Sequence, residues 1–150
     1  MIDITNESGI AVEELEFVSL ARHVLDSLHI HPQAELEIRF VNAADMADLN
    51  KTWMDETGPT DVLSFPIDEL RPGVEGELSD EGVLGAVVLC PQVAGIQAKE
   101  AGHSPIEEML LLSTHGILHL LGFDHATEEE ETEMFALQRH LLLTFLAGAG

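Results

Sequence analysis

The apolar positions change period several times along the chain, and each change marks an element. Residues 2–5 alternate apolar and polar, the two-residue period of a short strand. Over residues 11–28 the positions Val12, Leu15, Val18, Leu20, Val24, Leu25 and Leu28 approximate one face of an amphipathic helix, and Pro32 lies beyond as a stop signal. Residues 34–41 alternate again, with Leu36, Ile38 and Phe40 set against Glu35, Glu37 and Arg39, and read as a half-buried strand. A helical period returns over 42–53 and breaks at Gly58-Pro59. The segment TDVLSF (60–65) then reads as a strand closed by Pro66. Residues 68–82 are acidic and carry Gly and Pro, as expected of a long exposed loop. The continuous apolar run 83–89 suits a strand buried on both faces.

Three helices complete the pattern. Residues 91–101 are helical in period and stop at Gly102. Ser104-Pro105-Ile106-Glu107 matches a capping box with Pro at the first helical position, and the helix it opens runs through Leu121, with Gly122 as its C-terminal cap. Thr127 and Glu130 repeat the capping signal. Glu128, Glu129, Glu130, Glu131 and Glu133 crowd the start of the last helix, where the helix dipole favours negative charge. The order of elements predicts an α/β (α+β) fold in a single domain over residues 1–150, a small mixed sheet covered by helices.

Composition narrows the classes. Hydrophobic residues make up 45% of the 150 residues, enough for a packed core and against wholesale disorder. No apolar stretch reaches the roughly 18 residues of a membrane span, so no membrane partner is expected. The acidic start of the chain does not resemble a signal peptide, and the single cysteine, Cys90, fits a reducing cytoplasm and packs as a small hydrophobe. Six Lys+Arg stand against 28 Asp+Glu, a formal charge of −22, which argues against nucleic-acid binding through a broad basic face. Eight histidines therefore hold much of the cation and metal-ligand chemistry.

Three of them form the sharpest feature, HGILHLLGFDH at 115–125. His115 and His119 are four apart on a helix, which places their Cβ atoms about 5–6 Å apart on one face. Gly122 allows a left-handed turn that returns His125 as a third nitrogen. Three neutral imidazoles leave one tetrahedral position open, the pattern of a catalytic zinc site. The helix is apolar nearly all round, and two unpartnered imidazoles buried in it would cost a few kcal/mol unless a metal satisfied them. The spacing is that of the metzincin metalloproteases, whose general base is a Glu directly after the first His. Gly116 occupies that position, so a peptidase would lack its base.

HGILHLLGFDH also closely resembles the signature of the YbeY family, bacterial metal-dependent endoribonucleases of ribosomal RNA maturation. PTDVLSFP (59–66) resembles that family's other marker, and Asn50 and Leu84-Gly85 match as well. The resemblance implies a mixed four-stranded sheet packed by about five helices and a metzincin-like zinc helix. It implies one Zn2+ held by His115, His119 and His125. It further implies hydrolysis of single-stranded RNA in maturing the 3′ end of the small-subunit ribosomal RNA, ribosome quality control, contact with the ribosome or its proteins, and a cytoplasmic location. Two positions depart from the pattern: Met54 stands where many members carry Arg, and Ala86 where they carry Asp after the Gly. Arg39 is the first cation to inspect as a replacement.

The chemistry expected is metal-assisted phosphodiester hydrolysis, in which the ion lowers the pKa of a water from 15.7 toward about 7 and polarises a phosphoryl oxygen. Asp124, beside a ligand, is the nearest acidic candidate, as an orienting carboxylate or as a general base. Thr60 and Ser64 are candidate hydrogen-bond donors to substrate. Two other readings stay open: a ribosome-assembly binding factor with a mainly structural metal, and a metallohydrolase of a small or peptide substrate.

Overall fold

In the computed structural model, which describes residues 1–148, the elements follow the order β1 (Ile2–Asn6), α1 (Glu14–Ser27), β2 (Glu35–Phe40), α2 (Ala43–Met54), β3 (Val62–Pro66), β4 (Val83–Leu89), α3 (Pro91–Ala101), α4 (Pro105–Leu120) and α5 (Glu128–Gly148). The four strands form one mixed sheet in the order β1-β2-β4-β3. β1, β2 and β4 run parallel, and β3 pairs antiparallel with β4 at the sheet edge. The single α+β domain with four strands and five helices is the architecture that the motifs implied.

Alternation decides which side each strand buries. Leu36, Ile38 and Phe40 of β2 enter the main core with α1, α4 and α5, while Glu35 and Glu37 point outward. β4 is interior and contributes to both faces: Val87 joins the main core, and Val88 joins a smaller cluster with Val41, Met46, Leu63 and Cys90 under α2. Its continuous apolar sequence is the signature of that two-sided burial. α4 lies in the middle of the main layer, with ten of its residues buried, including Leu110, Leu112, Ile117 and Leu118.

One expectation is corrected. α1 starts at Glu14, not at residue 11, and its buried face is Phe17, Leu20, Ala21, Val24 and Leu25. Leu15, in the first turn, is 81% exposed. The segment 67–82 carries no helix or strand and is mostly exposed, as expected of this loop, and it is also tied to the rest of the chain. Leu70 enters the core, Gly73 and Ser79 donate backbone N–H groups to Leu28 and His29 carbonyls at 3.0 and 2.9 Å, and Asp68 Oδ2 accepts the Val83 N–H at 2.7 Å. An acidic composition predicts exposure, but it does not reveal backbone partners elsewhere in the chain.

Candidate metal centre

The predicted capping box at the start of α4 is formed in both directions. Ser104 Oγ accepts the Glu107 N–H at 3.2 Å, and the Glu107 carboxylate accepts from the Ser104 N–H at 3.3 Å. From this start the helix carries His115 and His119 to its C-terminal end. Gly122 then takes φ 96°, and the Gly122 and Phe123 N–H groups donate to the carbonyls of His119 and Leu118, both at 3.1 Å. This left-handed turn brings His125 back over the helix end. On the far side of the turn, Thr127 Oγ1 accepts the Glu130 N–H at 3.1 Å, the forward half of the expected box at the start of α5.

The three rings converge. One nitrogen from each of His115, His119 and His125 lies within 4.8 Å of the others, and the ring centroids are separated by 4.6 to 5.6 Å. Tetrahedral coordination with metal–nitrogen bonds of about 2.0–2.1 Å would set nitrogens about 3.3 Å apart. His115 Nε2 and His119 Nε2 are 3.0 Å apart. Gln138 Oε1, on α5, accepts from His115 Nδ1 at 2.8 Å, so the proton of that ring sits on Nδ1 and Nε2 presents its lone pair. Two ring nitrogens held so close need a shared proton or a shared cation between them. The donor set, the spacing and the fixed tautomer all fit a metal ion. Burial lowers the pKa of both His115 and His119, which keeps the rings in the neutral form a metal requires.

The rings open into a cavity of about 610 Å³ lined also by Met54, Asp61, Ser64, Pro66 and Gln138. Ser64 Oγ donates to the Gly116 carbonyl at 2.9 Å, tying edge strand β3 to α4. Gly116 itself faces the sheet: a Cβ there would lie 2.7 Å from Val87 Cγ1. The position that holds the base in metzincins thus points away from the histidines and has no space for a side chain. Thr60 Oγ1 donates to Asp61 Oδ1 at 3.2 Å, and the same oxygen accepts the Val62 N–H at 2.7 Å. Asp124 Oδ1 accepts the backbone N–H of His125 at 2.8 Å, so this carboxylate braces the turn that presents the third ring. Arg39 lies elsewhere, on β2, with Glu7 and Glu37 at 3.0 and 3.6 Å. Met54, in contrast, does line the cavity.

Two residues of the site were not singled out from sequence. Asp61 was in view inside PTDVLSFP, and its acidity was the available signal; its charge acts to raise the pKa of His115 against the effect of burial. Gln138 carries no such signal, because only the packing of α5 on α4 brings it to His115 across 23 positions.

With this geometry in hand, the comparisons agree. A family profile described as "Endoribonuclease YbeY" matches residues 2–146. A protein named Endoribonuclease YbeY from Beutenbergia cavernae is 67% identical over 146 residues, covering 97% of each chain. One of the same name from Thermobifida fusca is 58% identical, covering 94% of this chain and 91% of its own. The solution structure of TM1509 from Thermotoga maritima shares the fold, with a TM-score of 0.66 at 24% identity over 98% of this chain and 90% of that one. Both the sequence relatives and the family profile span nearly the whole domain, and the chain belongs to the Endoribonuclease YbeY family.

Proposed function

We propose that this protein is a zinc-dependent endoribonuclease that cleaves single-stranded RNA, acting in the cytoplasm on the 3′ end of small-subunit ribosomal RNA and in ribosome quality control. The observation that carries the reading is the convergence of three imidazole nitrogens at an open cavity of about 610 Å³. His115, His119 and His125 would hold one Zn2+, which would supply a water of lowered pKa and polarise a phosphoryl oxygen.

The surrounding residues take supporting roles. Gln138 holds the His115 tautomer, and Asp124 acts as a positioning residue by fixing the backbone of His125. Asp61 is the carboxylate of the cavity wall and the candidate to accept a proton there, while the Thr60 hydroxyl hydrogen is committed to Asp61. The Ser64 hydroxyl hydrogen is committed to Gly116, which leaves its oxygen to accept from a ribose hydroxyl. Arg39 does not stand in for an arginine at Met54; the guanidinium of Arg71 instead packs against Gly122, in the turn between His119 and His125, and is the cation nearest the ion's place for a phosphate.

The formal charge of −22 favours one rival, a ribosome-assembly factor whose metal is structural. The two separate in one experiment. Purified zinc-loaded protein should cleave unstructured RNA, lose that activity to a chelator, and lose it in His119→Ala while the variant still folds. Intact RNA together with ribosome association that survives His119→Ala would establish the assembly factor instead.

A further inference from the structure

The rim of the metal cavity carries an exposed apolar patch that the proposed chemistry does not use. Trp53, the only tryptophan in a chain without tyrosine, is 65% exposed at the end of α2. Met54 beside it is 44% exposed, and Ile67, just past β3, is 66% exposed. The Trp53 ring meets Phe65 edge-on, with centroids 6.1 Å apart and planes at 73°. Phe65 is itself packed against the cluster under α2, so it braces one edge of the indole and leaves the rest to solvent. The chain neighbours of this pair, Met54 and Pro66, line the metal cavity.

The mounting is rigid. Asp55 ends α2 in the left-handed conformation, and its N–H donates to the Asn50 carbonyl. The buried Asn50 side chain donates from Nδ2 to the Gly58 carbonyl at 2.9 Å, which holds the turn between α2 and β3. The nearby cation is spoken for: Lys51 Nζ lies 3.1 Å from Asp55 Oδ1. At the end of α2 the rim therefore offers a strand an aromatic surface and little positive charge, whereas the Arg71 guanidinium lies at the Gly122 turn. Base stacking on an aromatic ring needs no phosphate contact and tolerates any base.

We propose that Trp53 is a stacking platform for a nucleobase next to the scissile linkage, with Met54 guiding the strand from the platform into the cavity. This rests on the RNA-cleaving reading of the site. A protein partner would also cover an apolar patch, but continuity with the cavity through Met54 and Pro66 points to the substrate strand.

Because Trp53 is the sole tryptophan, its fluorescence reports the contact directly. The zinc-loaded protein is titrated with a short oligouridylate and with a ribose-phosphate strand of equal length lacking bases. The oligouridylate should quench the emission, and the abasic strand should not. In cleavage assays Trp53→Ala should raise KM by roughly 5- to 150-fold, the equivalent of one stacked base, with kcat nearly unchanged. Trp53→Phe should recover most of the loss. Cleavage without quenching, equal quenching by the abasic strand, or an unchanged KM in Trp53→Ala overturns the platform while leaving the nuclease intact. Loss of a ribosomal protein contact in Trp53→Ala with KM unchanged would also overturn it and assign the patch to that partner. A wild-type protein that neither binds nor cleaves RNA would remove the functional reading itself, and the platform with it.

Discussion

Burial prepares His115 and His119 for a cation and makes them a liability in acid. Burial is the largest effect on each ring and lowers its pKa; the neighbouring imidazoles push in the same direction, while Gln138 and Asp61 at His115, and Asp124 at His119, oppose it. In the unfolded chain both rings titrate near 6.5. In the folded, metal-free protein they stay neutral to a lower pH. Across that interval the unfolded state binds more protons, so metal-free stability falls as the pH drops below about 6.5 and goes on falling through the lowered folded values. Thermal melts of metal-free protein from about pH 7.5 to about pH 5 should therefore show the wild-type Tm declining relative to a His115→Gln, His119→Gln double variant. Parallel declines would show that these rings do not carry the linkage. Below the same pH, zinc should protect less, since protons compete for the ligand nitrogens.

At the scale of elements, the packing of α4 on the sheet depends on one missing side chain. Gly116→Ala would raise helix propensity by up to about 1 kcal/mol. It would also place a Cβ 2.7 Å from Val87 Cγ1 and 3.2 Å from both Val87 Cγ2 and Ser64 Oγ. Val87 is fully buried and β-branched, so its χ1 is restricted and its methyl groups yield only at a cost. Overpacking of this kind costs about 1–3 kcal/mol and outweighs the propensity gain. The expected result is a Tm lower by a few degrees and weaker zinc binding, because the displaced helix also carries His115; a Tm at or above wild type would refute the contact. The same element shows what sequence could convey. The capping box, the i, i+4 histidine pair and the Gly122 turn are local, set by residues within one or two helical turns, and all three were legible. The burial of β4 on both faces was legible too, because an uninterrupted apolar run has few other uses. The face of α1 was misread at its first turn: Leu20, Val24 and Leu25 are buried as the pattern implies, but Phe17 takes the core place there and Leu15 faces solvent. Gln138 and the ties of loop 67–82 were out of reach: their partners lie far along the chain, and only tertiary packing brings them together.

At the scale of the whole molecule, charge sets the terms on which RNA can arrive. The protein is strongly acidic, and among its few cations Arg22, Arg39 and Lys51 lie within 3.6, 3.0 and 3.1 Å of Asp26, Glu7 and Asp55. A protein that contacts six to ten phosphates with basic side chains loses roughly 10³–10⁵ in affinity between about 50 and 200 mM salt, because it releases that many counterions. Here few basic contacts are available to release them, and the long-range force is repulsive, screened beyond about 8 Å at physiological ionic strength. Added salt weakens the repulsion as much as any attraction. The KM for unstructured RNA should therefore change by less than about tenfold between 50 and 200 mM monovalent salt, and the association rate should rise rather than fall. A loss of roughly a hundredfold or more over that range would mean that a basic surface outside the metal cavity, on a bound partner or a rearranged chain, delivers the substrate.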